Sequence, residues 1–284
     1  MMKTILLPFR SDEPPRTAME LAHSVADRFG SYVEGLYVRQ PPPIVSGEGI
    51  TIPGELLTEL GEEARRVAER TGEHFRRFMS DKGLPLGDVT SPADRPSAGW
   101  RDMEGIEGQI VGEYARLFDL IVVGCATATP QSTVDRDTVC EAALFDSGRP
   151  VLVASTELPA TLGETVVVAW NGSTETARTI SFGMPFLSGA KKVVVLTVEG
   201  GTVPGPGPEQ VAEHLVRNDV KAEAKTVQME GRSAGEAILA ECHEVGADLL
   251  LKGAFTHSRL RQLIFGGATS HILANADLPV LMAH

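Results

Sequence analysis

"ADLLLKGAFT", residues 247–256, is an aspartate-led apolar run that ends in glycine. A run with no polar alternation reads as a strand buried on both faces, which is how strands lie in a parallel sheet. The same pattern stands earlier in the chain as "FDLIVVGCAT", residues 118–127. Each run is followed by a proline-led strand pattern, "GRPVLVAS" at 148–155 and "DLPVLMAH" at 277–284. Gly124 to Pro150 is 26 positions, and Gly253 to Pro279 is also 26. Equal spacing across long connections makes this an internal repeat.

Working outward, earlier elements repeat more loosely. "KTILLPF" (3–9) resembles "ETVVVAW" (164–170), and "SYVEGLYV" (31–38) resembles "KKVVVLTV" (191–198). Helical patterns lie between them: Ala18, Leu21, Ala22 and Val25 in the first half, Ala177, Ile180, Ser181 and Met184 in the second. Each half therefore alternates strand and helix through five strands. That order predicts an α/β protein of two tandem doubly wound domains, each a five-stranded parallel sheet flanked by helices. The domains are placed at 1–155 and 163–284, with "STELPATLG" (155–163) as the link. The final strands of the two halves are expected to pair or pack with each other, since each is an apolar sheet edge. The first half also carries a Pro- and Gly-rich insertion at 40–55, read as a loop. After it comes a charged helix over 56–82 with Leu57, Leu60, Ala64, Val67, Ala68, Phe75 and Phe78 on one apolar face.

The chain has 284 residues and a formal net charge of −12, from 26 Lys and Arg against 38 Asp and Glu. Such a balance argues against nonspecific nucleic-acid or anionic-membrane binding, because both need a surplus of cations to meet phosphate. No stretch approaches the roughly 20 apolar residues of a membrane span, and the N-terminus lacks the apolar core of a secretion signal. Cys125, Cys140 and Cys242 are odd in number and lack paired spacing. They read as buried thiols in a reducing compartment, so the expected location is cytoplasmic. The seven histidines show no zinc spacing with these cysteines.

In a doubly wound sheet, ligands bind outside the carboxyl ends of the strands where the strand order reverses. Gly253 ends such a strand, and "GGATSHILANA" (266–276) then opens a helix with small residues in its first turn. Free amides and the helix dipole favour an anion there. From Lys252 to Ala276 the chain holds Lys252, Arg259, Arg261, His257 and His271 and no Asp or Glu. The matching stretch of the first half, 124–146, carries Asp135, Asp137, Glu141 and Asp146 against one Arg. Asp137 takes the place of Gly266, and a carboxylate repels phosphate in a partly desolvated pocket. The first half is therefore read as structural.

On these residues the chain resembles the universal stress protein (UspA-like) family, in the form that fuses two domains. The resemblance implies an adenine nucleotide alpha hydrolase-like fold and a stress-response role. Nucleotide-binding members carry glycine, two residues, glycine, nine residues, then glycine and Ser or Thr. Gly253 and Gly266 match the first and third glycines, Thr256 stands at the second, and Gly267 replaces the hydroxyl residue. Ala268 and Thr269 fit the small and hydroxyl positions that follow. "VVVAWNGSTETA" (166–177) matches the family's first strand and turn, with Asn171 where an Asp usually meets the ribose and Arg10 at the equivalent place in the first half. Val198 matches the position whose backbone faces adenine, and Ala169 lies beside it.

The resemblance thus implies ATP or AMP bound in the second domain, phosphates over Gly266, Gly267, Ala268 and Thr269. Trp170 is a candidate wall of the base pocket, while Trp100 is read as anchoring the third helix of the first domain. The resemblance further implies an internal pseudo-dimer of the two domains, and a homodimer is left open. No activated nucleophile is evident, because His257 and Ser258 are sequence neighbours with no carboxylate nearby to orient the imidazole. Any hydrolysis is expected to be slow and incidental. The alternatives are a scaffold protein that binds no nucleotide, and a small-molecule hydrolase using the same pocket.

Overall fold

The computed structural model describes residues 2–9, 16–41, 53–87, 95–124, 138–254 and 267–284. The first half runs β1 (Thr4–Phe9), α1 (Arg16–Phe29), β2 (Tyr32–Arg39), α2 (Gly54–Asp81), β3 (Ser97–Glu104), α3 (Glu107–Tyr114), a 3-10 turn (Ala115–Leu117), β4 (Leu120–Val123), α4 (Thr138–Asp146) and β5 (Val151–Val153). The second runs β6 (Thr165–Ala169), α5 (Thr174–Leu187), β7 (Lys192–Val198), α6 (Pro208–Val216), β8 (Ala222–Val227), α7 (Ala234–Val245), β9 (Leu249–Gly253), α8 (Gly267–Asn275) and β10 (Val280–Ala283). The alternation read from sequence is present in both halves.

These elements form two compact units. The first contains β1 to β3, the start of β4, and α1 to α4. Its strands run in the order β3-β2-β1-β4, all parallel, with Thr4 beside Tyr32 and Ile5 beside Leu120. One face of this sheet is filled by Trp100 of β3, whose ring lies 5.3 Å from Phe9 and 5.5 Å from Phe75 of α2. Gly35 and Gly72 make room for that indole: a Cβ would lie 2.7 Å from Trp100 Cε3 at the first and 2.6 Å from Nε1 at the second. Trp100 therefore anchors α2, the second helix, rather than the third. The reason is the pleat, since alternate residues of a strand point to opposite faces and residue 100 points to the one α2 covers. Of the apolar face read for α2, Ala68 and Phe75 are buried and Phe78 is half-buried, with Met79 buried beside it, whereas Leu57 and Leu60 near the helix start are 37% and 43% exposed.

The second unit holds β5 to β10 and α5 to α8. Its parallel order is β10-β9-β6-β7-β8, and β5 pairs antiparallel with β10 through Val153–Val280, Leu152–Leu281 and Val151–Met282. The two proline-led strands do pair. Burial explains the composition: Val166, Val167, Val168, Leu249, Leu250 and Leu251 are all 0% exposed. The aspartates that lead the repeated runs tie strand starts together. Asp248 accepts from the N–H groups of Glu164 and Thr165 at 3.0 Å each, and Asp119 accepts from those of Lys3 and Thr4 at 2.7 and 3.1 Å. Helix α7 is closed at one end by a Ser233–Glu236 capping box and at the other by Gly246 at φ 66°. Among the described residues no helix is long and apolar enough to cross a membrane.

Candidate functional site

In the second unit β6 has β9 on one side and β7 on the other, so connections leave it in opposite directions. The crevice of a doubly wound sheet opens at such a point, outside the carboxyl ends of the strands. Ala169 ends β6, Gly253 ends β9 beside it, and Val198 ends β7.

On the β9 side the notable group is Lys252. Three leucines precede it in a buried strand, and its Nζ donates to Oγ1 of Thr269 at 2.7 Å and to the carbonyl of Gly253 at 2.9 Å. Thr269 lies in the first turn of α8 and is 4% exposed. Burial pushes the Lys252 ammonium down from its usual 10.5 to about 8, since desolvation penalises the charged form. No carboxylate pairs with Lys252 among the described residues. Gly267 opens α8 on the exposed side, and a Cβ there would meet nothing within 4 Å among the described residues. A half-buried cation and an exposed helix start thus share one corner.

Gly253 has a packing role. A Cβ on it would lie 2.6 Å from the backbone nitrogen of Thr176 and 2.7 Å from its Oγ1, so the missing side chain lets α5 sit against the end of β9. Thr179, one turn further along α5, is 0% exposed; its Oγ1 donates to the carbonyl of Glu175 at 2.8 Å and accepts from the N–H of Ala283 at 3.1 Å.

On the β6 side the chain covers itself. Residues 199–207, between β7 and α6, pass over the end of β6. The Val203 N–H donates to the Asn171 carbonyl at 2.8 Å, and the Trp170 indole N–H donates to the Pro206 carbonyl at 2.8 Å. Gly172, at φ +86°, and Gly205 allow a backbone-to-backbone approach: a Cβ on Gly172 would lie 2.4 Å from the Val203 oxygen, and one on Gly205 would lie 2.6 Å from the Gly172 oxygen. Asn171 Oδ1 accepts from the Ser173 N–H at 3.2 Å and from Thr176 Oγ1 at 2.8 Å, which fixes the turn into α5. Ser173 caps that helix by accepting from the Thr176 N–H. Ala169, Trp170 and Val198 are 5%, 6% and 5% exposed.

This architecture has known relatives. The family model described as the Universal stress protein family matches residues 164–284. Residues 164–284 are a universal stress protein domain. The likeness extends further: Universal stress protein Slr1230 of Synechocystis sp. is 23% identical over 291 residues, covering 99% of each chain. Stress response protein NhaX of Bacillus subtilis is 32% identical over 75 residues, 26% of this chain and 45% of that one. Among solved structures, a universal stress protein from Archaeoglobus fulgidus superposes with a TM-score of 0.69 at 15% identity, covering 99% of this chain and 97% of the other.

Of the residues read from sequence in the universal stress protein domain, the structure brings Gly253, Thr269 and the α8 start at Gly267 and Ala268 to one corner with Lys252. Ala169, Asn171 and Val198 lie at the β6 and β7 ends, and the Asn171 and Val198 carbonyls accept from the Val203 and Gly201 N–H groups. Thr256, Arg259, Arg261, Gly266 and the His257–Ser258 pair lie outside the described residues, as do Arg10, Cys125, Asp135 and Asp137 of the first half. Sequence reading missed Thr176 and Thr179 beneath Gly253, although threonine at residues 176 and 179 of "STETART" has the spacing of one helix face. Cys242 is 1% exposed, and burial pushes its thiol up to about 12, away from redox or metal chemistry near neutral pH.

Proposed function

We propose that the universal stress protein domain binds an adenine nucleotide, ATP or AMP, through its phosphates at the corner of β9 and α8, and that the protein is a ligand-responsive regulator rather than an enzyme. The observation that carries this reading is the Lys252 ammonium held against Thr269 in the first turn of α8. Phosphate oxygens there meet a cation in a poorly solvated place together with the free amides of a helix start. Residues 252–276 contain no Asp or Glu to compete for the charge. The adenine part of the reading rests on the likeness to the family. The scaffold reading, in which the domain binds no nucleotide, is the competitor.

Isothermal titration with ATP tests this, comparing the native protein with Gly267→Asp. The Gly267 position is exposed and a Cβ there meets no described residue, and an acidic residue at a helix start favours folding. A carboxylate there repels phosphate. The expected result is binding by the native protein and none by the variant. An absence of heat from both proteins overturns the reading in favour of the scaffold.

A further inference from the structure

We infer that this domain recognises its ligand by phosphate groups alone, because residues 203–206 close the carboxyl end of β6 against a base. The inference rests on the phosphate-binding reading above and deepens it: the ligand class becomes accessible phosphate-bearing molecules, inorganic or nucleoside-linked, of which the adenine nucleotides are one kind. Three features lock the closing segment. Its Val203 N–H and Pro206 carbonyl bond to the Asn171 carbonyl and the Trp170 indole at 2.8 Å each, and its backbone packs on Gly172 where neither Gly172 nor Gly205 has room for a Cβ. The groups that could read the edge of a base at this end are used in holding the segment or capping α5. The Asn171 side-chain oxygen goes to Ser173 and Thr176, and the Trp170 carbonyl accepts from Thr197 Oγ1 at 3.1 Å. The Trp170 ring, at 6% exposed, offers no face on which a base could stack.

Opening this segment for a base would break both hydrogen bonds, the Val203 N–H to the Asn171 carbonyl and the Trp170 indole N–H to the Pro206 carbonyl. Prolines at 204, 206 and 208 limit the conformations it can move to. The Lys252–Thr269 corner is formed by β9 and α8 and involves none of residues 203–206. Phosphate and base are therefore separable demands in this domain, and the chain meets the first.

The test is titration of the full chain with ATP, GTP and inorganic tripolyphosphate, combined with hydrogen exchange at the Val203 amide. A base held by stacking contributes about 1–3 kcal/mol, roughly fivefold to a hundred-and-fiftyfold in affinity. The expected result is that GTP matches ATP within about threefold, that tripolyphosphate binds at least as tightly, and that the Val203 amide keeps its protection at saturating ATP. ATP binding about fivefold or more tighter than tripolyphosphate, or faster exchange at Val203 when ATP is added, overturns the inference while leaving phosphate binding intact. Failure of all three ligands to bind overturns the phosphate-site reading itself and the inference with it.

Discussion

The Nζ of Lys252 lies 2.7 Å from Oγ1 of Thr269, so a strand-end ammonium is held half-buried against the first turn of a helix. Its proton is held less tightly in the folded chain, at about 8, than in the unfolded one, near 10.5. Between these values the unfolded state binds more protons, so this group makes stability rise with pH across that window, while below pH 8 it is a constant penalty. Lys252→Met removes the charge and with it the slope. Thermal melts at pH 7, 8, 9 and 10 should therefore show the variant gaining most relative to the native protein at pH 7 and losing that advantage towards pH 10. A difference that does not change with pH would mean the ammonium is well solvated.

Gly253→Ala is expected to destabilise the protein by about 1–3 kcal/mol, the usual cost of overpacking a close-packed contact. The new Cβ would lie 2.6 Å from a backbone atom, the nitrogen of Thr176, and backbone cannot swing aside as a side-chain tip can. Trimming the neighbour in the double variant with Thr176→Ala removes Oγ1 but not that nitrogen, so it should restore little. Urea unfolding of the three proteins checks this. Native-like stability of Gly253→Ala would show that the glycine is kept for a ligand instead.

The fold was legible because its carriers are local. Apolar runs without alternation mark β4 and β9, and the equal 26-residue connections to the proline-led strands mark the repeat. Contacts between residues distant in sequence were not legible. Nothing local distinguishes Gly253, which admits α5, from a glycine that admits phosphate; only the 2.6 Å approach to Thr176 does. Pro204, Gly205 and Pro206 are loop-forming residue types, but the seat of 203–206 on Trp170 and Gly172 depends on a register set by the whole sheet. Leu57 and Leu60 have the periodicity of a core face, yet periodicity reports which residues share a side of a helix and not how far the neighbouring sheet reaches.

The aspartates that lead the two repeated runs should respond unequally to the same change. Asp248 uses both oxygens, Oδ1 for the Thr165 N–H and Oδ2 for the Glu164 N–H and the Thr161 hydroxyl. Asp119 receives Lys3 and Thr4 on Oδ2. Asparagine has one acceptor oxygen, which can replace Oδ2 of Asp119 but cannot stand on both sides at 248, where an NH2 group would face a buried N–H. Asp248→Asn should therefore cost about 1–3 kcal/mol, the penalty of a buried donor left unpaired, and Asp119→Asn clearly less. Melting temperatures of the two variants decide it, and equal losses would contradict the assignment.

In the first unit, Glu34 is 4% exposed and collects three donors: the Tyr32 hydroxyl at 2.8 Å, the Tyr114 hydroxyl at 2.6 Å and Arg101 Nε at 2.8 Å. Burial first, and then the hydrogen bond to this carboxylate, pushes the Tyr114 phenol up to about 12 and the Tyr32 phenol higher still. A phenol whose folded pKa is raised stabilises the fold below its unfolded value near 10, and that contribution is lost as pH climbs towards the folded value. Both tyrosines should accordingly stay protonated at pH 10.5 in the native protein, which ultraviolet difference absorbance of phenolate reads directly. Glu34→Gln keeps an acceptor but removes the negative charge. It should shift the titration of both phenols downward without returning them to 10, because burial, the larger cause, remains. Full return to the ordinary value would mean that the variant has opened the face of the sheet between β2, β3 and α3, and circular dichroism of the same samples would report that loss. No shift at all would mean that neither hydroxyl donates to Glu34.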